Sequence, residues 1–101
     1  MIILNSDNLV NVTGLQYSDT LAYINDATVT GKLMSLDETV LATFSLSYVA
    51  ASNGNYTGVL LNTVADDLTD SQEYIVEITI LKDAWKEVRR EQHNASWRGF
   101  N

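Results

Sequence analysis

The sequence predicts an all-β fold, a sandwich of about seven short antiparallel strands, and three observations carry that prediction. Apolar and polar residues alternate with a period of two over several short runs, which is the signature of strands with one buried face. Turn-forming residues separate these runs at intervals of about 8 to 12 residues. β-Branched and aromatic residues concentrate in the runs, while only one short segment leans toward helix.

Taken in order, Ile2, Ile3 and Leu4 make an apolar start, Asn5-Ser6-Asp7-Asn8 has turn composition, and Leu9 to Val12 resumes the apolar pattern. These read as one broken first strand, ended by Gly14. Residues 16–20 are polar apart from Tyr17, and Leu21-Ala22-Tyr23-Ile24 leads into a turn at Asn25-Asp26. Tyr23 reads as a core or edge aromatic rather than a ligand contact. From residue 27, Ala27, Val29, Gly31 and Leu33 share one strand face, while Thr28, Thr30, Lys32 and Met34 share the other. In the run 40–49, Ala42, Phe44, Leu46 and Tyr48 alternate with Thr43, Ser45 and Ser47. Asp37-Glu38-Thr39 between them is short enough to join antiparallel neighbours, so the two runs form a hairpin. Asn53-Gly54 supplies residues that tolerate positive φ, and residues 56–61 return as a third strand of the meander.

Residues 62–68 could form a turn or two of helix, too short to stand alone, and read as a connection between sheets anchored by Leu68. The clearest strand follows at 73–81. Tyr74, Val76, Ile78 and Ile80 occupy one face, and Ile75 and Leu81 give the other face apolar character too, so the strand is expected to be central. Lys82-Asp83 then turns into a run from Trp85 to Gln92 that is almost wholly polar, the composition of an exposed edge. The expected core is Val10, Val12, Val29, Leu33, Phe44, Leu46, Tyr56, Leu60, Tyr74, Val76, Ile78 and Ile80. Strand number and spacing are those of an immunoglobulin-like β-sandwich without its Cys-Trp-Cys landmarks; a single open barrel is the alternative. The sandwich domain is assigned to residues 1–92. Residues 93–101 form an extended C-terminal tail that either packs back or docks on another subunit.

Composition narrows the function classes. The chain has 101 residues, enough for one domain with its own core, and a net charge of −7. Residues 1–81 hold ten acids against Lys32 alone, whereas residues 82–101 hold five bases against three acids. An acidic body with a mildly basic end disfavours nucleic acid as a partner. Without cysteine there is no disulfide, thiolate metal site or thiol nucleophile. No apolar run approaches the roughly 20 residues that span a bilayer, and the first residues lack the pattern of a signal peptide. The expectation is a protein made and used without export and with no membrane partner; the Asn-x-Ser/Thr triplets at Asn11, Asn55 and Asn94 then read as chance matches.

The candidate catalytic groups do not assemble into a reaction. His93 is the only histidine and stands at the start of the tail, where it cannot hold register with a nucleophile. The carboxylate pairs Asp66/Asp67 and Asp37/Glu38 sit in loops with no sign of the apolar burial that raises a pKa. Asp66, Asp67 and Asp70 match no calcium-loop spacing. The expectation is a non-enzymatic scaffold with no cofactor and no metal. Trp97, Arg98 and Phe100 in the tail, with Trp85, Arg89 and Arg90 in the last strand, are the candidate partner-binding residues, since aromatics and arginine dominate interface hot spots.

Four stretches carry a family resemblance: Ser6 to Val10, Tyr23 to Leu33, Leu46 to Val49, and Asn53 to Leu60. They resemble small immunoglobulin-like structural proteins of tailed bacteriophages and prophages, and the Asn25-Asp26-Ala27 run with Val29 and Leu33 is similar to the amino-terminal domains of phage baseplate upper proteins. Asp37-Glu38-Thr39 departs from the usual Asp-Gly turn. The resemblance implies a virion component, made in the host cytoplasm, that decorates or cements the capsid or joins parts at the neck or tail. Its partners would be other virion proteins and itself. A carbohydrate-binding or host-adhesion module, with Trp85, Trp97 and Tyr17 as stacking faces for a glycan, is the alternative.

Overall fold

Strands form where the alternation places them, and their pairing decides what each can do. The computed structural model describes residues 1–4, 6–17, 20, 22–65 and 68–97. Its strands are β1 (Ile2–Ile3), β2 (Asn8–Val12), β3 (Thr28–Ser35), β4 (Val40–Tyr48), β5 (Tyr56–Leu60), β6 (Glu73–Lys82) and β7 (Trp85–Ser96), with one helical turn, α1 (Asn62–Ala65), between β5 and β6. They join in the order β1-β7-β6-β3-β4-β5-β2. The all-β expectation holds, but the sheet is mixed rather than wholly antiparallel, because β1 runs parallel to β7.

The sheet folds over at β4. This strand pairs with β3 from Val40 to Leu46, yet with β5 only through Ser47 and Tyr48. β5 then leaves β4 and pairs with all five residues of β2. Gly58 sits at the divergence, where a Cβ would lie 2.6 Å from the Ser45 carbonyl oxygen, so the two strands can pass this closely only without a side chain. Folding over brings Val12, Tyr56 and Leu60 of β2 and β5 against Val29, Leu33, Val76, Ile78 and Ile80 in one core. The shortest dimension, 19 Å, fits two layers about 10 Å apart plus their outer side chains.

Most of the expected elements are present. β3 buries Val29, Gly31 and Leu33, and β6 lies between β3 and β7 with Tyr74, Val76, Ile78 and Ile80 all buried. The helical turn crosses between layers with Ala65 and Leu68 buried. In the β3–β4 hairpin Glu38 takes φ 68°, the left-handed position, and the Glu38 N–H donates to the Ser35 carbonyl at 2.9 Å. Gly54 has φ 70°, but the second positive φ of that loop falls on Ala51 rather than on Asn53.

Four expectations need correction. The first strand is not one broken strand, since β1 joins β7 and β2 joins β5. Asn8 makes the separation possible: its side-chain oxygen accepts the Ile3 N–H at 2.8 Å and its amide donates to the Ile3 carbonyl at 2.9 Å, satisfying Ile3 as a strand neighbour would. Residues 93–96 continue β7 rather than starting a tail, because Ala95 is fully buried and bonds Ser71 and Gln72 on one side, with β1 on the other. Val10 and Phe44 are only half-buried, while Ile2, Leu4, Leu15, Ile24 and Ala95 complete the core. Tyr23 needs no correction, since of its two readings it takes the edge one, exposed and bridged to Gln16. Met34 is buried on the face expected to be polar because the register shifts between Leu33 and Met34.

Candidate interaction surface

β7 is held on one side along its length and on the other only at its end. Ala95 turns its backbone toward β6, its N–H donating to Gln72 and its carbonyl accepting from Ser71 at 2.9 and 2.7 Å. Ser96 turns the opposite way, its carbonyl accepting the Leu4 N–H at 2.9 Å. Because this direction alternates residue by residue, Lys86, Val88, Arg90, Gln92 and Asn94 direct their N–H and C=O groups away from β6. β1 pairs with Ala95 and Ser96, a parallel register that also uses the Asn94 carbonyl, so the edge with no strand on that side among the described residues is 86–93. An unpaired edge of this kind is a template for another strand.

Side chains on the two faces of β7 do different work. On the inner face, Arg89, Glu91 and His93 line one wall of a cleft of about 210 Å³, opposite Val10, Val12 and Leu60. Here Arg89 donates to Glu87. The Met1 amine donates to His93 Nδ1 at 2.9 Å, which leaves Nε2 as the protonated nitrogen that meets Glu91 at 3.1 Å. On the outer face, Arg90 forks between two acids, with Nε on Glu77 and a terminal nitrogen on Glu38, both at 2.7 Å. Glu77 is the one buried charged residue among those described, 8% exposed, and Arg90 covers it from the facing register position. The Glu38 hydrogen bond, then that of Glu77, raises the Arg90 pKa. Asp37 in the same hairpin accepts from the Ser35 hydroxyl and the Thr39 N–H, and these bonds hold its carboxyl below the ordinary carboxylate range.

The six candidates from the sequence separate in space. Trp97 follows β7 and is 60% exposed. Arg89 and Arg90 lie on opposite faces of the strand. Trp85 is half-buried against the core, with the Tyr17 ring edge-on at 6.1 Å. Arg98 and Phe100 lie outside the described residues, as do Asp66 and Asp67. Trp85 and Trp97 bracket a twelve-residue strand, roughly 40 Å apart at about 3.3 Å per residue, so they share no stacking platform.

Sequence reasoning missed the acids that organise β7, namely Glu38, Glu77, Glu87 and Glu91. A signal existed for one of them: Glu77 is an acid within a strand read as buried on both faces, and such a charge requires a partner. A second exposed patch also went unnoticed, where Leu9 and Val59 face each other on β2 and β5 with Leu61 beyond. Comparison with protein-family models, with curated proteins and with solved structures finds no match.

Proposed function

We propose that this chain is a non-enzymatic structural component of a tailed-bacteriophage virion, which decorates or cements the capsid or joins parts of the neck or tail through protein–protein contacts. The observation that carries the docking half of this reading is the free edge of β7 over residues 86–93, where Lys86, Val88, Arg90 and Gln92 turn unpaired backbone outward on a strand fixed from behind by β6. Strand addition at such an edge gives affinity through main-chain hydrogen bonds, and the alternating charges choose which strand is accepted. The virion half comes from the resemblance of the four stretches Ser6 to Val10, Tyr23 to Leu33, Leu46 to Val49 and Asn53 to Leu60, which fall in β2, β3, the end of β4 and β5. An immunoglobulin-like assignment of the sandwich is supported by the β7-β6-β3 antiparallel layer, the parallel β1 beside β7, and the β2–β5 pair over the opposite face.

The test is co-sedimentation of the purified chain with tailed-phage particles that lack it. Saturable binding at a fixed copy number per particle is the expected result. A chain that stays in the supernatant with capsids, necks and tails alike overturns the reading; glycan-dependent quenching of tryptophan fluorescence would then favour the adhesion alternative.

A further inference from the structure

We propose that the chain pairs with a second copy of itself along the free edge of β7, antiparallel, with a two-fold axis through Val88. The proposal rests on reading that edge as a docking surface and deepens it by naming the occupant and the register. Two features bound the edge. Lys82 pairs with Trp85 across the turn Asp83-Ala84, so the strand begins at Trp85. At the far end β1 runs beside Ala95 and Ser96, and the same parallel register sets Met1 beside Asn94 and takes up the Asn94 carbonyl. Lys86, Val88, Arg90 and Gln92 are therefore the residues that offer backbone groups to a newcomer, and Val88 is the exposed apolar one among them.

Two antiparallel copies exchange backbone hydrogen bonds only where these outward-facing residues oppose one another, so the axis lies at a residue position and successive registers move it by one residue. With Val88 on the axis, Lys86 faces Arg90 of the second copy, Val88 faces Val88, and Trp85 faces Glu91. Beyond Trp85 only the turn remains. Ala84 comes level with Gln92 of the second copy, two positions short of Asn94, where Met1 stands, so the turn and β1 do not meet. Moving the axis to Arg89 sets Ala84 level with Asn94 and so against Met1; moving it on to Arg90 sets Trp85 in the place of Ile2. Moving it back to Glu87 leaves only Lys86 and Val88 paired.

Charge selects the same register. Residues 87 and 89 fall at non-hydrogen-bonded positions, where facing Cα atoms are only about 4.5 Å apart. About Val88, each Glu87 faces Arg89 of the other copy, which makes two attractive pairs. About Arg89, the two Arg89 side chains face each other and Glu87 faces Glu91; about Glu87, the two Glu87 side chains meet. On the outer face Lys86 faces Arg90, but Arg90 is one cation held between two anions, Glu38 and Glu77, so Lys86 approaches a cluster of net negative charge. Val88 meets its own copy on the axis and is covered there. In the single chain Arg89 turns to Glu87 along its own strand, and dimerisation exchanges this contact for the cross-strand ones. Pairing Lys86, Val88 and Arg90 of each copy makes about six main-chain hydrogen bonds, so the dimer is a weak one.

Sedimentation equilibrium at concentrations up to about 1 mM, the range in which so small an interface associates, compares the wild-type chain with E87R, R89E and E87R/R89E. The wild type should dimerise, each single reversal should weaken the dimer about tenfold by turning two attractive pairs into like-charge pairs, and the double reversal should restore it. Circular dichroism checks that each variant folds. Because the chain has no cysteine, oxidation of V88C gives a second readout, of register. Val88 faces itself at a hydrogen-bonded position, where Cα atoms are about 5.5 Å apart and within disulfide reach, so V88C alone should give a disulfide-linked dimer. R89C alone should link less, because residue 89 meets itself only in the register one residue away. A monomer at all these concentrations, a dimer indifferent to charge reversal, or R89C linking as readily as V88C overturns the proposal. A monomer that still binds phage particles would overturn it and leave the proposed function standing; a dimer that passes both tests while ignoring particles would support it and overturn that function.

Discussion

β6 and β7 are neighbours over ten matched positions, from Glu73 opposite Asn94 to Lys82 opposite Trp85, yet their sequences follow opposite rules. β6 buries Tyr74, Val76, Glu77, Ile78 and Ile80, whereas β7 buries only Ala95. The difference lies in what surrounds each strand. β6 has a strand on either side and the core beneath it; β7 has one full-length neighbour, and beneath its middle lies a cleft instead of packed side chains. A central strand is therefore written by its core, and an edge strand by the neighbour it accepts or refuses. On that account the charges of β7, apart from Arg90 over Glu77, do little for the stability of the single chain and much for its associations.

The comparison can be broken most directly at Ile80 and Val88. Ile80 is fully buried in β6, and Ile80→Ala should cost about 2–5 kcal/mol through lost burial and the cavity left behind. Val88 on β7 is 47% exposed, and Val88→Ala should stay within about 0.5 kcal/mol. Denaturant unfolding of both variants gives the two numbers; comparable losses would mean that β7 carries core stability after all.

A smaller effect sharpens the contrast within β7 itself. Arg90 covers buried Glu77, while Arg89 pairs with Glu87 over the cleft. Arg90→Ala strands a buried carboxylate and should lower the denaturation midpoint further than Arg89→Ala does. Adding Glu77→Gln to Arg90→Ala should recover part of the loss, since the stranded charge is gone. Equal midpoints for the two arginine variants would show that Glu77 is indifferent to its partner.

What the sequence disclosed follows the same division. Period-two alternation revealed β3, β4, β5 and β6 because each has one face on the core, and the polar run at Trp85 identified β7 as an edge. It did not reveal that β1 and β2 part company, because the device that separates them is a single side chain, Asn8, bonding backbone five residues earlier. Nor did it show His93–Ser96 as strand, since Ala95 is buried by β1, a contact between opposite ends of the chain. The charge pairs were illegible for a similar reason. Arg90 meets Glu77 through register and Glu38 through the positive φ of a turn, and neither follows from spacing along the chain.

That turn gives the smallest and most specific prediction. Glu38 sits at φ 68°, a conformation that costs a non-glycine residue on the order of 1 kcal/mol. Asp37 offsets the cost by accepting from Ser35 and Thr39, which fixes the turn and presents Glu38 to Arg90. Its carboxyl is held below its ordinary value of 3.8, chiefly by the Ser35 hydrogen bond and then by Thr39. A group whose folded pKa is depressed stabilises the fold when ionised, so the contribution is whole above the unfolded value and is withdrawn as pH falls through the folded one. The stability difference between wild type and Asp37→Asn should therefore favour the wild type and stay level above about pH 5, then shrink as the pH drops below 3.8. Urea midpoints of the two proteins along an acid series measure it. A difference that widened on acidification would remove Asp37 from the turn, and with it the link by which the β3–β4 hairpin steadies the outer face of β7.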